Sequence, residues 1–179
     1  MSVLKIEMLG SEILRRPADE VREIDEKLRL LIQDMFETMY DAEGIGLAGP
    51  QVGISKRVCI VDLNDGETPK LALVNPRIVE SSKSTEKGEE GCLSIPGVAA
   101  LVARPPEIVV EALDPEGHSL RVEADGLLAR CLQHEIDHLD GVLFIDRLSP
   151  LKRDMLLKKY RASLSDPQRG ATAAGGKGL

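Results

Sequence analysis

Tryptophan is absent from this 179-residue chain, and phenylalanine and tyrosine occur only twice each. With aromatics at 2%, a stacking platform for single-stranded nucleic acid is excluded. Basic residues are outnumbered 23 to 30, for a formal net charge of -7, which excludes DNA as the main partner because phosphate binding needs a basic surface. No apolar run approaches the roughly 20 residues that span a bilayer, so no membrane segment is expected. The opening stretch "MSVLKIEMLGSEILRR" lacks the uninterrupted apolar core of a secretory signal. Cysteine is scarce: Cys59, Cys92 and Cys131 are odd in number and widely spaced. That suits free or metal-bound thiols in a reducing cytoplasm, and not a disulfide framework. Histidine is equally scarce, at three.

What remains is ordinary globular material, with 42% apolar and 30% charged residues in a length that fits one domain. Asp25 is placed to cap a helix reaching about Asp41, since Leu28, Leu31, Ile32, Met35, Phe36 and Met39 recur at helical spacing; Gly44 and Gly46 are expected to end it. "RVCIVDL" (57–63) predicts a strand, and "LALVNPRIVE" (71–80) two short strands around Asn75 and Pro76. "KSTEKGEE" (83–90) reads as a charged loop, and its Glu90 as either solvated or a partner for Arg104 that would brace the Cys92 segment. "EIVVEALD" (107–114) and "SLRVEA" (119–124) flank a turn and predict a hairpin. The pattern turns helical from Asp125 to Leu139, stopped by Asp140 and Gly141. Ser149 and Pro150 are the start signal of a C-terminal helix. Residues 1–165 are expected to form a single domain, and the small polar end, 166–179, a disordered tail. Strands mixed among helices without regular alternation favour α+β.

Two of the histidines fall in "CLQHEIDHLDG" (131–141). Residues four apart lie one turn along the same helix face, so His134 and His138 can both reach one ion. Glu135, rotated by about 100°, can reach a water on the open side of that ion. A catalytic site of this kind takes three protein ligands and a water whose pKa the metal lowers. Leu127, Leu128, Cys131, Leu132, Ile136 and Leu139 make the helix mostly apolar. Three polar side chains inside it would be costly without partners, and a metal is one such partner. The third ligand has to come from elsewhere. No histidine follows the pair and Glu135 is the last glutamate, which removes the ligands that His-Glu-x-x-His proteases use. His118 sits in the turn "DPEGHS", where exposure is expected. Two thiols remain. Cys92 lies in "EEGCLSIPG", bracketed by Gly91 and Pro96, where a loop can present it; Cys131, three before His134, is the rival, although a buried helix thiol usually just packs.

"GIGLAGPQ" (44–51), "EGCLS" (90–94) and "QHEIDHLDG" (133–141), in this order and at these separations, resemble the signature of the peptide deformylases. The likeness covers nearly the whole chain except the tail. It implies a central metal-binding helix with mixed or antiparallel strands packed around it, and helices at both ends. It also implies removal of the formyl group from N-formylmethionine of new polypeptides in the cytoplasm. Cys92, His134 and His138 would then hold ferrous iron, replaceable by zinc, nickel or cobalt. Glu135 would serve as base and then acid. The Gln51 amide and the Leu93 backbone N–H would face the developing oxyanion. Gly46 would pair with the substrate backbone, and Ile45, Leu128 and Cys131 would receive the methionine. A C-terminal helix carrying Lys152, Arg153, Lys158, Lys159 and Arg161 would offer a contact to ribosomal RNA.

Some positions depart from that pattern. Gly49 stands where alanine is usual. Gly88 takes the place of an apolar residue near the methionine pocket, and Arg130 that of an aliphatic one. A thinner wall is expected at Gly88, and a guanidinium at the cleft rim, favouring acidic peptides, at Arg130. Two other readings share the histidine pair: a peptidase, and a non-catalytic module folded around its ion. The missing downstream ligand and the "EGCLS" loop speak against the peptidase.

Overall fold

The structure, a computed structural model, describes residues 2–166 and 179. It is α+β, and its two sheets are antiparallel throughout. Helix α1, Glu26–Asp41, begins where Asp25 accepts the backbone N–H of Leu28 at 2.9 Å. A cap of that kind is worth about 1 kcal/mol. The helix does not wait for a glycine to end: Ala42 caps it and Glu43 turns left-handed at φ 56°. Gly46, expected at the helix end, instead opens strand β1, Gly46–Ala48, and a single 3-10 turn over Gly49–Val52 follows it.

The remaining strands are β2, Val58–Val61; β3, Leu71–Ser81; β4, Glu86–Cys92; β5, Ile95–Arg104; β6, Glu107–Leu113; and β7, Ser119–Asp125. Five form one sheet in the order β1-β2-β3-β6-β7, and β4 with β5 makes a separate hairpin. Two expectations change here. The segment 71–80 is one continuous strand, with a register shift after Val74. Asn75 is left-handed there, and its side chain binds both the N–H and the C=O of Val21 at 2.8 Å, so the break signal is absorbed as a bulge. The charged stretch 83–90 is largely strand β4, paired from Glu86 to Arg104.

Helix α2, Gly126–Leu139, and helix α3, Pro150–Ser165, complete the chain, with a 3-10 turn at Phe144–Arg147 between them. The central sheet alternates as a pleat must. Val58 and Ile60 face the cluster built on Leu28, Ile32, Met35 and Met39 of α1. Cys59 and Val61 face the cluster built on Ala129, Cys131, Leu132, Ile136 and Leu139 of α2. Each buried leucine or isoleucine there contributes about 1.5–3 kcal/mol. A third cluster joins Cys92, Ile95, Val98 and Val102 of the hairpin to Phe144, Leu156 and Tyr160. Helix α2 therefore lies between the five-stranded sheet and the hairpin. Among the described residues, no helix is long and apolar enough to cross a membrane. The segment expected to be disordered lies outside the described residues except for Asp166 and Leu179, and Leu179 is buried in the α2 cluster.

Candidate metal centre

Ten of the fourteen residues of α2 are buried, Gln133, His134, Glu135, Asp137 and His138 among them. Its apolar stripe docks on the central sheet, which turns the polar residues toward the hairpin. Cys92 ends β4, and Leu93 with Ser94 turns the chain into β5. That turn carries the thiol to the helix: Cys92 Sγ lies 3.4 Å from His138 Nε2. The ligand atoms of Cys92, His134 and His138 all fall within 4.8 Å of one another, a convergence unmatched among the described residues. Of the two candidate thiols, Cys92 is the one that the fold brings to the histidines. Cys131 Sγ is turned away toward the Ile45 carbonyl at 3.7 Å, and burial, with Glu135 nearby, pushes its thiol far up.

The imidazoles are set for coordination. Burial, followed by His134 and Arg104, drives His138 well below the ordinary histidine range, so it is a neutral ring with a lone pair. Nδ1 of His134 lies 2.9 Å from Oε1 of Glu90. Burial raises the Glu90 carboxyl, but hydrogen bonds from Arg104 and His134 outweigh it and hold the group down at about 2. As an anion it accepts, so a ring hydrogen sits on Nδ1 and Nε2 is the atom left to face a cation. That Nε2, the Nδ1 of His138 and both oxygens of Glu135 are buried atoms without a hydrogen-bond partner. Such atoms are rare in native interiors. A divalent cation would take up the Nε2 lone pair, and one thiolate with two imidazoles suits iron, zinc, cobalt or nickel. Burial pushes the Cys92 thiol up to about 12, opposed by the Ser94 N–H, so binding a cation displaces its proton.

Around this cluster stand the accessory residues. Gln51 is fully buried; its Oε1 accepts the Ala48 N–H at 3.0 Å, and its Nε2 donates to Ser94 Oγ at 3.2 Å and reaches Cys92 Sγ at 3.6 Å. The 3-10 turn thus aims that amide at the hairpin turn. Strand β1 ends the sheet order, and it passes so close over Glu135 that a Cβ at Gly46 would meet Oε1 at 2.5 Å and Cys131 Sγ at 2.9 Å. Any side chain there would have to displace the Glu135 carboxylate or the Cys131 thiol. Burial, followed by the charge of Glu90, keeps Glu135 well above the usual carboxylate range. Ile45, Leu128 and Cys131 belong to one apolar cluster. Leu93 forms the hairpin turn, its side chain against Gly44. His118 is exposed in its turn, beside Asp114.

Sequence reasoning paired Glu90 with Arg104, and the pair is present as a buried fork, Nε to Oε2 at 2.6 Å and Nη2 to Oε1 at 2.8 Å. It missed that Glu90 also orients His134. It missed Asp137, held by Arg147 through 2.6 Å contacts from Nε and Nη2, and by Arg104 Nη1 at 2.9 Å. The signal was available: Asp137 is a third charge on an apolar helix. Arg130 does not project at the cleft rim; its guanidinium is bound to Glu90 and to the carbonyls of Glu86 and Val102.

Three convergent ligand atoms beside an unpartnered buried carboxylate are the parts of a metallohydrolase, and the chain falls in that class. A family model described as polypeptide deformylase matches residues 3–154, and the chain belongs to that family. The peptide deformylase of Natranaerobius thermophilus is 51% identical over 86% of this chain and 97% of its own. That of Rhizobium meliloti is 49% identical over 97% of this chain and 99% of its own. The crystal structure of the Legionella pneumophila peptide deformylase superposes with a TM-score of 0.88 at 46% identity, covering 94% of this chain and 99% of that one. The Synechococcus elongatus peptide deformylase, solved in complex with actinonin, gives 0.84 at 48% identity, covering 89% of this chain and 88% of that one. The family's reaction is removal of the formyl group from the N-formylmethionine of nascent peptides.

Proposed function

We propose that this chain deformylates nascent peptides with the following division of labour. Cys92, His134 and His138 hold a divalent cation, ferrous iron in the cell, with zinc, nickel or cobalt able to replace it. When bound, that ion polarises the formyl carbonyl and acidifies the adjacent water. Glu135 accepts the proton of the attacking water and returns it to the leaving amine, so formate and a free methionine amine depart. The raised affinity of its buried carboxylate for a proton suits it to hold one between those two steps. The Gln51 amide and the Leu93 N–H donate to the oxygen that gains charge, and one such donor is worth about 2.7–4 kcal/mol. The peptide adds as a strand along β1, whose Gly46 keeps the backbone close to Glu135. Ile45, Leu128 and Cys131 surround the methionine side chain.

The observation that carries this reading is the pair of unpartnered, fully buried oxygens on Glu135, next to three convergent ligand atoms. A structural carboxylate would have found a donor. The test is Glu135→Gln. Formate release from formyl-Met-Ala is expected to fall by about 10²–10⁴, while metal analysis still finds one ion per chain. Turnover unchanged in that variant would sink the assignment.

The substrate implies work in the cytoplasm, beside the ribosome. Helix α3 exposes Lys152, Lys158, Lys159 and Arg161, a basic surface that suits ribosomal RNA. Co-sedimentation with ribosomes that is unaltered by Lys158→Glu with Lys159→Glu would remove that contact from the proposal.

A further inference from the structure

The ligands of the metal centre come from two elements that share no sheet. Cys92 rides on the β4-β5 hairpin, which is not hydrogen-bonded into the five-stranded sheet, and both imidazoles ride on α2. The gap between hairpin and helix sets the separation of sulfur from nitrogen, and no backbone ladder fixes that gap. Side chains bridge it instead, and Arg130 takes hold of both strands at once. Its Nη1 donates to Glu90 Oε2 and to the Val102 carbonyl, each at 2.8 Å, and its Nη2 donates to the Glu86 carbonyl at 2.9 Å. Glu86 and Glu90 belong to β4, and Val102 to β5.

Two further facts give that grip a direction. Arg130 stands four residues before His134, on the same face of α2. Its carboxylate partner, Glu90, is the group that orients His134. Opposite Val102 in the hairpin register sits Gly88, and the guanidinium crosses directly over it. A Cβ at Gly88 would lie 2.6 Å from Arg130 Cζ and Nε. The thinner wall expected at Gly88 is therefore closed by Arg130, and the absent side chain is what admits the guanidinium.

We propose that Arg130 is a positioning residue, a clasp that fixes the Cys92 hairpin against the histidine helix, with Gly88 as the gap it passes through. This rests on the reading of Cys92, His134 and His138 as metal ligands. The test uses full-length protein loaded with zinc, measuring the rate of zinc release to excess chelator, kcat and KM for formyl-Met-Ala, and the thermal midpoint. Losing an outer-shell partner of a ligand costs about 10–100-fold. Arg130→Leu is expected to release zinc about tenfold faster and to lower kcat by a similar factor. KM should move less; an arginine that held acidic substrate residues would raise KM instead. Arg130→Lys, which can satisfy fewer acceptors, is expected to fall between. Gly88→Ala puts a methyl in the path of the guanidinium, so it should match Arg130→Leu with Arg130 intact. The double variant should be no worse than either single, because both break one clasp.

Release within about twofold of wild type in both Arg130→Leu and Gly88→Ala, whatever happens to the midpoint, overturns the clasp and leaves only packing. Additive effects of the two substitutions overturn it as well. If Arg130→Leu does not fold, Gly88→Ala and Arg130→Lys decide. A wild-type chain that holds no stoichiometric zinc, or that keeps it after Cys92→Ser, fails at the earlier step and takes down the ligand assignment itself.

Discussion

Helices α2 and α3 are nearly the same length, 14 and 16 residues, and both are rich in ionisable groups. They use those groups in opposite ways. In α3 only Leu156 and Tyr160 are buried, and its lysines and arginines point to water. In α2 the ionisable residues point into the protein, and apart from the unpartnered Glu135 they meet counterparts that other elements supply: Glu90 for His134, Arg104 and Arg147 for Asp137, Cys92 for His138. Pairs between exposed charges are worth about 0–1 kcal/mol, whereas removing one partner of a buried pair costs about 3–5 kcal/mol. Charge count says little about a helix; the partners assembled around it say whether it performs chemistry.

Replacing the distant sulfur is the strongest way to break that contrast. Cys92→Ser is expected to lose both the metal and nearly all turnover, while Cys131→Ser keeps the metal; elemental analysis with a formate assay reads the pair. If Cys131→Ser alone empties the site, α2 would be self-sufficient and the comparison would fail. Next comes Asp137→Ala, which leaves Arg104 Nη1 and the Arg147 fork without their carboxylate while Glu90 still holds the other two Arg104 donors. Its unfolding free energy in urea should fall by about 3 kcal/mol. Removing the amide of Gln51 with alanine is expected to lower kcat by about 10²–10³ with zinc retained. Lys158→Glu with Lys159→Glu on α3 should shift stability by no more than about 0.5 kcal/mol. A large loss there would show that α3 hides a structural charge after all.

The elements that the sequence announced are those with a single periodicity and a local stop. Helix α1 follows its apolar spacing and its Asp25 cap, and α3 follows Ser149 and Pro150, with Ser149 Oγ accepting the Lys152 N–H. Helix α2 was legible with its histidine pair, because apolar spacing and ligand spacing coincide there. Strands β4 and β5 were not legible. Buried positions in that ribbon include Glu90 and Arg104, which cancel each other's charge, so hydropathy reports solvent where there is interior. The continuity of β3 was hidden because Asn75 satisfies Val21 through its side chain, a partnership 54 residues long-range that no local rule contains. The direction of Arg130 was hidden for a similar reason: two of its three acceptors are backbone carbonyls, which every sequence has and no sequence displays.

The sulfur and the second imidazole are 46 residues apart along the chain. Before the hairpin docks, a polypeptide can offer a cation no more than the two rings of one helical turn. The ion accordingly prefers the native state, and its capture is coupled to folding. Every tenfold excess of free ion over its dissociation constant then adds about 1.4 kcal/mol of resistance to unfolding. A scavenger of divalent ions should thus act on this protein as a mild denaturant, well before any change in temperature or solvent.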